Sequence, residues 1–151
     1  MANSRLSTLA ARIPRWIWWA ATLAMVAWLL WMTLRPQEQA QSDLAYITQP
    51  AASQGISIPF LIDFLGNMVV FVPLGAVAFL ALHQKDKPPL QTLIWATLVG
   101  AGLSAFIELT QSTLPSRVAT FKDWLLNITG TLIGAAVALW LTRNPHQETN
   151  T

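Results

Sequence analysis

The chain has no cysteine. That excludes disulfides, thiol nucleophiles and cysteine-based metal sites, and it leaves the redox compartment unread. Charge is scarce too. Only 11% of the 151 residues are Asp, Glu, Lys or Arg, against about 25% in a soluble domain. The net charge of +2 is too small to point to nucleic acid, and no basic run or base-stacking motif supports such a partner. What is present is apolar: 54% of the residues are hydrophobic and the mean hydropathy is +0.45. This is the composition of a membrane protein, with a length that suits one small domain.

Four apolar segments are each near the ~20 residues a spanning helix needs. They run over about 16–34, 59–82, 90–109 and 121–142. A soluble bundle would carry polar faces between them, and those are missing. Trp16, Trp18 and Trp19 open the first segment, Trp28 and Trp31 lie towards its end, and Trp95, Trp124 and Trp140 lie close to other segment ends. Tryptophan gathers in this way at membrane interfaces. The expected fold is all-α: a polytopic membrane protein built as a four-transmembrane-helix bundle. Residues 1–15 form a basic N-terminal segment, 16–142 the bundle and 143–151 a polar tail.

The first segment follows Arg5, Arg12 and Arg15, as a signal peptide would. Its apolar run is longer than the ~7–15 residues of a signal h-region, and no A-x-A pattern closes it. An uncleaved anchor is expected. With the N-terminus inside, six of the nine Lys and Arg residues fall on the cytoplasmic side: Arg5, Arg12, Arg15, Lys85, Lys87 and Arg143. Arg35, Arg117 and Lys122 fall outside. This bias predicts cytoplasmic termini, in an inner (cytoplasmic) membrane.

Chain direction then gathers the polar residues of the last three segments at the outer end. Asp63 lies roughly 6 Å and Asn67 roughly 12 Å into the second helix, at ~1.5 Å per residue, and their spacing puts them on one face. Glu108 and Gln111 share a face at the outer end of the third. Thr120 and Asp123 fit a capping box at the start of the fourth, with Asn127 one turn deeper. The short connection 112–119 carries Arg117 across the same mouth. An intramembrane charge costs at least about 2.5–3.5 kcal/mol, so these residues are functional candidates by default.

Close helix approach is expected beside them. Gly130 and Gly134 are spaced G-x-x-x-G, and Ala96, Gly100 and Ser104 form a small-residue ridge. Pro73 predicts a kink, since it cannot donate to the helix ladder.

Each candidate also has a structural role open to it. Asp123 suits a helix cap. Glu108 sits at a helix C-terminus, where the dipole disfavours an anion, so it needs a partner, and Arg117 is the cation at hand. Asn67 and Asn127 suit interhelical hydrogen bonding, worth about 0.6–2 kcal/mol. Asp63 can reach water, and Lys122 can snorkel to the surface. His83 and His146 fall at the opposite side, so zinc is not expected. The carboxylates and amides are oxygen ligands of the kind Mg²⁺ and Ca²⁺ take, but Arg117 in the same mouth suits a phosphate better. No metal and no cofactor is expected.

The stretch Asn67-Met68-Val69-Val70-Phe71-Val72-Pro73-Leu74-Gly75 resembles the N-x-x-x-F-x-P-L-G signature of the VanZ-like family. Glu108-Leu109-Thr110-Gln111, then Arg117, Asp123, Asn127 and Gly130, resembles that family's E-x-x-Q…R…D-x-x-x-N-x-x-G block. The resemblance covers roughly residues 58–140, with both motif halves in order and no departure at a motif position. It implies a link to glycopeptide resistance, especially to teicoplanin.

Two function classes follow. In the first, the chain binds or modifies a polar or phosphorylated lipid headgroup in the outer leaflet. Arg117 would grip the phosphate, Asp63, Asn67, Gln111 and Asn127 would contact the headgroup, and Glu108 or Asp123 would serve as acid or base. In the second, the chain is a non-enzymatic membrane component whose polar cluster holds the helices together. Four spans without an internal repeat are few for a transporter, although a homodimer would supply more.

Overall fold

A computed structural model of the chain describes residues 13–34, 58–84, 86–113 and 120–143, with the backbone alone over 58–64. Four α-helices follow one another: α1 (Arg15–Leu34), α2 (Ile58–Leu82), α3 (Pro89–Gln111) and α4 (Phe121–Thr142). There is no strand among the described residues. All four helices are long and apolar enough to cross a membrane. The chain is a multi-pass membrane protein.

Local signals set the helix limits. Pro88 and Pro89 open α3, with proline in the first turn, where the missing N–H costs nothing. Thr120 caps α4 by accepting the Asp123 N–H on its hydroxyl at 3.1 Å. Pro73 lies inside α2, which continues through it to Leu82. Its side chain is exposed.

Helix α4 packs most extensively on α2, and the contact is made by glycines. A Cβ on Gly130 would strike the carbonyl oxygen of Met68, and one on Gly134 that of Val72. Gly75 on α2 stands in the same relation to the carbonyl oxygen of Thr131. The Thr131 side chain fills the space at Gly100 of α3, so three helices meet at one threonine. Its hydroxyl donates to the Asn127 carbonyl at 2.9 Å, which keeps a polar group satisfied at 0% exposure.

The apolar core divides along the bundle. Leu29, Phe71, Leu74 and Ile107 bind α1, α2 and α3 in one half. Ala78, Phe79, Ala96, Ala135 and Ala138 bind α2, α3 and α4 in the other. In the first half the seam between α3 and α4 is joined by polar contacts instead. Ser104 and Asn127 are both buried there.

Each end of the bundle has its own tie to a neighbour. Arg15 of α1 donates from Nε to the Ala81 carbonyl of α2 at 2.9 Å. With the Gln84 amide turned to present its oxygen, both terminal guanidinium nitrogens reach it at 2.9 Å. A cation thus satisfies a carbonyl at the negative end of α2. At the other end the Gln111 amide donates to the Thr33 carbonyl of α1 at 2.9 Å.

Candidate functional site

The C-terminal end of α3 meets the N-terminal end of α4, and the cluster begins there. Thr92, Ala96, Gly100, Ser104 and Glu108 follow one another at a spacing of four. The first four are buried, so this face of α3 is the one applied to the bundle. Glu108 extends it to the mouth. Asp123 stands in the same relation to Asn127 on α4, one turn nearer the mouth.

Glu108 Oε2 accepts the backbone N–H of Thr120 at 3.0 Å. This changes the expected capping box. In a complete box the residue three after the cap returns its side chain to the cap's own N–H. Here that residue is Asp123, one methylene shorter than the usual Glu, and the Thr120 N–H is taken by Glu108 from the neighbouring helix. The cation expected beside Glu108, Arg117, lies outside the described residues. Among the described residues Glu108 meets the positive end of α4, where an anion is favoured.

Asp123 is left with a buried Oδ1 that has no hydrogen-bond partner among the described residues. It stands close enough to Glu108 for the two carboxyl groups to interact electrostatically. Asn127 is 3% exposed. Its Nδ2 donates to Ser104 Oγ at 2.8 Å, while its Oδ1 is buried and also without a partner among the described residues.

An open groove of ≈ 490 Å³ lies beside these groups, between the ends of α3 and α4. Glu108, Ser112 and Thr120 supply its polar lining, and Leu109, Phe121 and Trp124 much of the rest. The Phe121 and Trp124 rings lie 5.3 Å apart at 32°. The indole N–H of Trp124 donates to the Ala101 carbonyl at 3.2 Å, which fixes the ring.

The other candidates divide. Asn67 is half-buried on α2. Asp63 lies in α2, where only the backbone is described. Gln111 is turned to α1 rather than to the groove. Two residues three apart differ by about 60° around a helix, enough for Glu108 and Gln111 to serve different neighbours. No group of three or more His, Asp or Glu residues able to hold a metal occurs among the described residues.

Ser104, Phe121 and Trp124 were not among the sequence candidates for the site. Ser104 had a signal, since its place on the ridge turns a hydroxyl toward α4. At the opposite end of the bundle His83 stacks on Phe79 with centroids 5.3 Å apart, and burial lowers its pKa. It is remote from the carboxylates.

No curated protein and no solved structure matches the chain. The VanZ/LLP1 family model matches residues 11–142. That span takes in the first helix as well as both motif blocks, all four helices and every candidate named above. The chain therefore belongs to the VanZ/LLP1 family.

Proposed function

We propose that this protein binds or modifies a polar or phosphorylated lipid or cell-envelope headgroup at the α3–α4 mouth, and that the family's glycopeptide phenotype arises from that. The observation that carries this reading is a pair of buried acceptors, Asp123 Oδ1 and Asn127 Oδ1, that have no hydrogen-bond partner among the described residues. Buried polar atoms in native proteins are nearly always partnered, and a half-satisfied network is costly. Among the described residues, the contacts that hold the helices together account for neither of these oxygens, which lie one turn apart. A ligand bearing donors would partner both. Glu108 and Asp123 are the candidate acid and base for any reaction on the headgroup.

Variants of these two groups test this. Asn127→Leu gives up one interhelical hydrogen bond, about 0.6–1.7 kcal/mol, and Asp123→Asn removes a charge without changing size. Both proteins are expected to fold, with a thermal melt in detergent within a few degrees of the parent. Both should lose binding of labelled polyprenyl phosphates or phospholipids. Full binding and an unchanged glycopeptide phenotype in both variants would sink the reading.

The second reading, a non-enzymatic component, is favoured by the hydrogen bonds that do join helices: Glu108 to Thr120, Asn127 to Ser104 and Gln111 to Thr33. It expects the same two variants to lose stability and binding to be absent throughout.

The headgroup reading also requires an outward-facing mouth, in the cytoplasmic membrane, with both termini inside. The Lys and Arg distribution supports that orientation. Because the chain has no native cysteine, single engineered cysteines report it directly. Positions Gln41 and Ser116 should react with an impermeant reagent on intact cells, and Lys85 should not. All three lie outside the described residues, so the labelling is independent of the helix packing. Labelling at Lys85 from outside would reverse the orientation.

A further inference from the structure

We infer that the groove between the ends of α3 and α4 is an ammonium subsite, occupied by the amine-bearing headgroup of a membrane lipid. This rests on the headgroup reading above and names the chemistry of its ligand.

Charge is the first argument. Among the described residues, Glu108 is the ionisable one lining the groove, and Asp123 lies within its electrostatic reach. Among the described residues an anionic ligand entering here meets the Glu108 carboxylate with Asp123 near it, while the positive end of α4 is already engaged by Glu108 through the Thr120 N–H. An ammonium meets a carboxylate already held in place, because Oε2 is bound to the Thr120 N–H. No described residue donates to the other oxygen of Glu108. Ser112 and Thr120 add hydroxyl groups to the lining.

The aromatic pair is the second argument. Phe121 and Trp124 line the same groove as the carboxylate. The indole N–H is spent on the Ala101 carbonyl, so Trp124 offers the groove its π system rather than a donor. A carboxylate with aromatic rings beside it suits a cation, since a ring quadrupole attracts positive charge within about 6 Å of its centroid. Two donor-seeking elements of different kinds therefore agree.

Position selects a lipid over a free amine. Leu109 and Phe121 border the groove at 70% and 71% exposure. In a multi-pass protein such side chains near helix ends face acyl chains and headgroups. A lipid whose amine enters the groove can leave its tails against them. The ≈ 490 Å³ volume falls within the ~300–1,000 Å³ of small-molecule sites.

The test uses the full-length protein in detergent, with native mass spectrometry reading bound lipid. Phosphatidylethanolamine is compared with its N-acetylated form, which keeps the phosphate and tails and loses the charge. Phosphatidylglycerol is the third probe. The expected result is about tenfold tighter binding of the free amine than of either comparator, the scale of one cation–π and charge contact. Glu108→Gln should erase the preference while the melt stays near the parent's, because the amide oxygen still accepts the Thr120 N–H. Trp124→Leu should reduce the preference several-fold. Equal binding of the three lipids would overturn the ammonium subsite and leave the headgroup reading intact. Binding of none of them, nor of polyprenyl phosphates, would overturn both. Competition by free phosphoethanolamine at the lipid's own concentration would overturn the assignment to a lipid.

Discussion

Gly134→Leu is expected to abolish the folded bundle. The site of its Cβ is already occupied by the backbone, with the Val72 carbonyl oxygen and the Ala76 nitrogen of α2 in the way. A flexible side chain could move aside, but two helix backbones cannot without separating. Separation would also pull Gly130 off Met68 and Thr131 off Gly75, since all three contacts lie along one seam. Overpacking alone typically costs about 1–3 kcal/mol, and here lost contacts along the α2–α4 seam add to it. In lipid there is little hydrophobic drive to hold helices together, so backbone proximity and van der Waals contact carry the association. At each of the two α4 glycines the hydrogen that stands where a Cβ would be points at a carbonyl oxygen, a weak bond worth perhaps ~0.5–1 kcal/mol. Gly130→Leu should behave as Gly134→Leu does. Gly66→Ala and Gly102→Ala are the controls, because an added Cβ at either meets nothing within 4 Å. Those two should melt within about 1 kcal/mol of the parent. The measurement is a detergent melt followed by fluorescence-detected size exclusion. A monodisperse, parent-like Gly134→Leu protein would mean that α2 and α4 do not touch as described.

The α2–α4 contact also shows where sequence reading reaches. G-x-x-x-G spacing at Gly130 and Gly134 announces a close approach, because the pattern has a direct steric meaning. It does not name the opposing helix. The four spans are equally legible: apolar length and the scarcity of charge leave few alternatives, and the helices begin and end within two residues of the segments read from hydropathy. The ridge of Ala96, Gly100 and Ser104 is buried as its spacing implies.

The polar mouth is less legible in the sequence. Residue types and chain direction gather Glu108, Asp123 and Asn127 at one end, but the partners depend on helix rotation and on backbone groups that carry no sequence signal. The Thr120 N–H is such a group. Any residue except proline would present it, so nothing in the letters says that Glu108 will take it. Gln111 illustrates rotation, since its face reaches α1 while Glu108 three residues earlier reaches α4. Trp124 reads as an interfacial aromatic and Phe121 as the first apolar residue of its span. Only the groove makes them neighbours of a carboxylate.

The partner of Glu108 changes what its mutation should do. If the carboxylate merely paired with Arg117, Glu108→Arg combined with Arg117→Glu would restore the stability that either change removes. The Thr120 N–H leads to a different expectation. Glu108→Gln keeps an acceptor for that N–H and loses only the charge at the start of α4, about 0.3–1 kcal/mol. Glu108→Leu leaves the N–H of the cap without its partner, at roughly 1–3 kcal/mol. Glu108→Arg sets a donor against a donor and a cation against the positive end of α4, so it should be the least stable of the three. Adding Arg117→Glu cannot repair this, because the backbone group that Glu108 serves does not change sign. The expected order of detergent melts is parent, Gln, Leu, then Arg, with the swapped double mutant no better than Glu108→Arg. A double mutant that melts like the parent would show that the charge pair outweighs the cap. Amine-lipid binding separates the two roles of Glu108. Glu108→Gln should fold and lose its preference for the ammonium, whereas a residue that only caps α4 would keep the preference along with the fold.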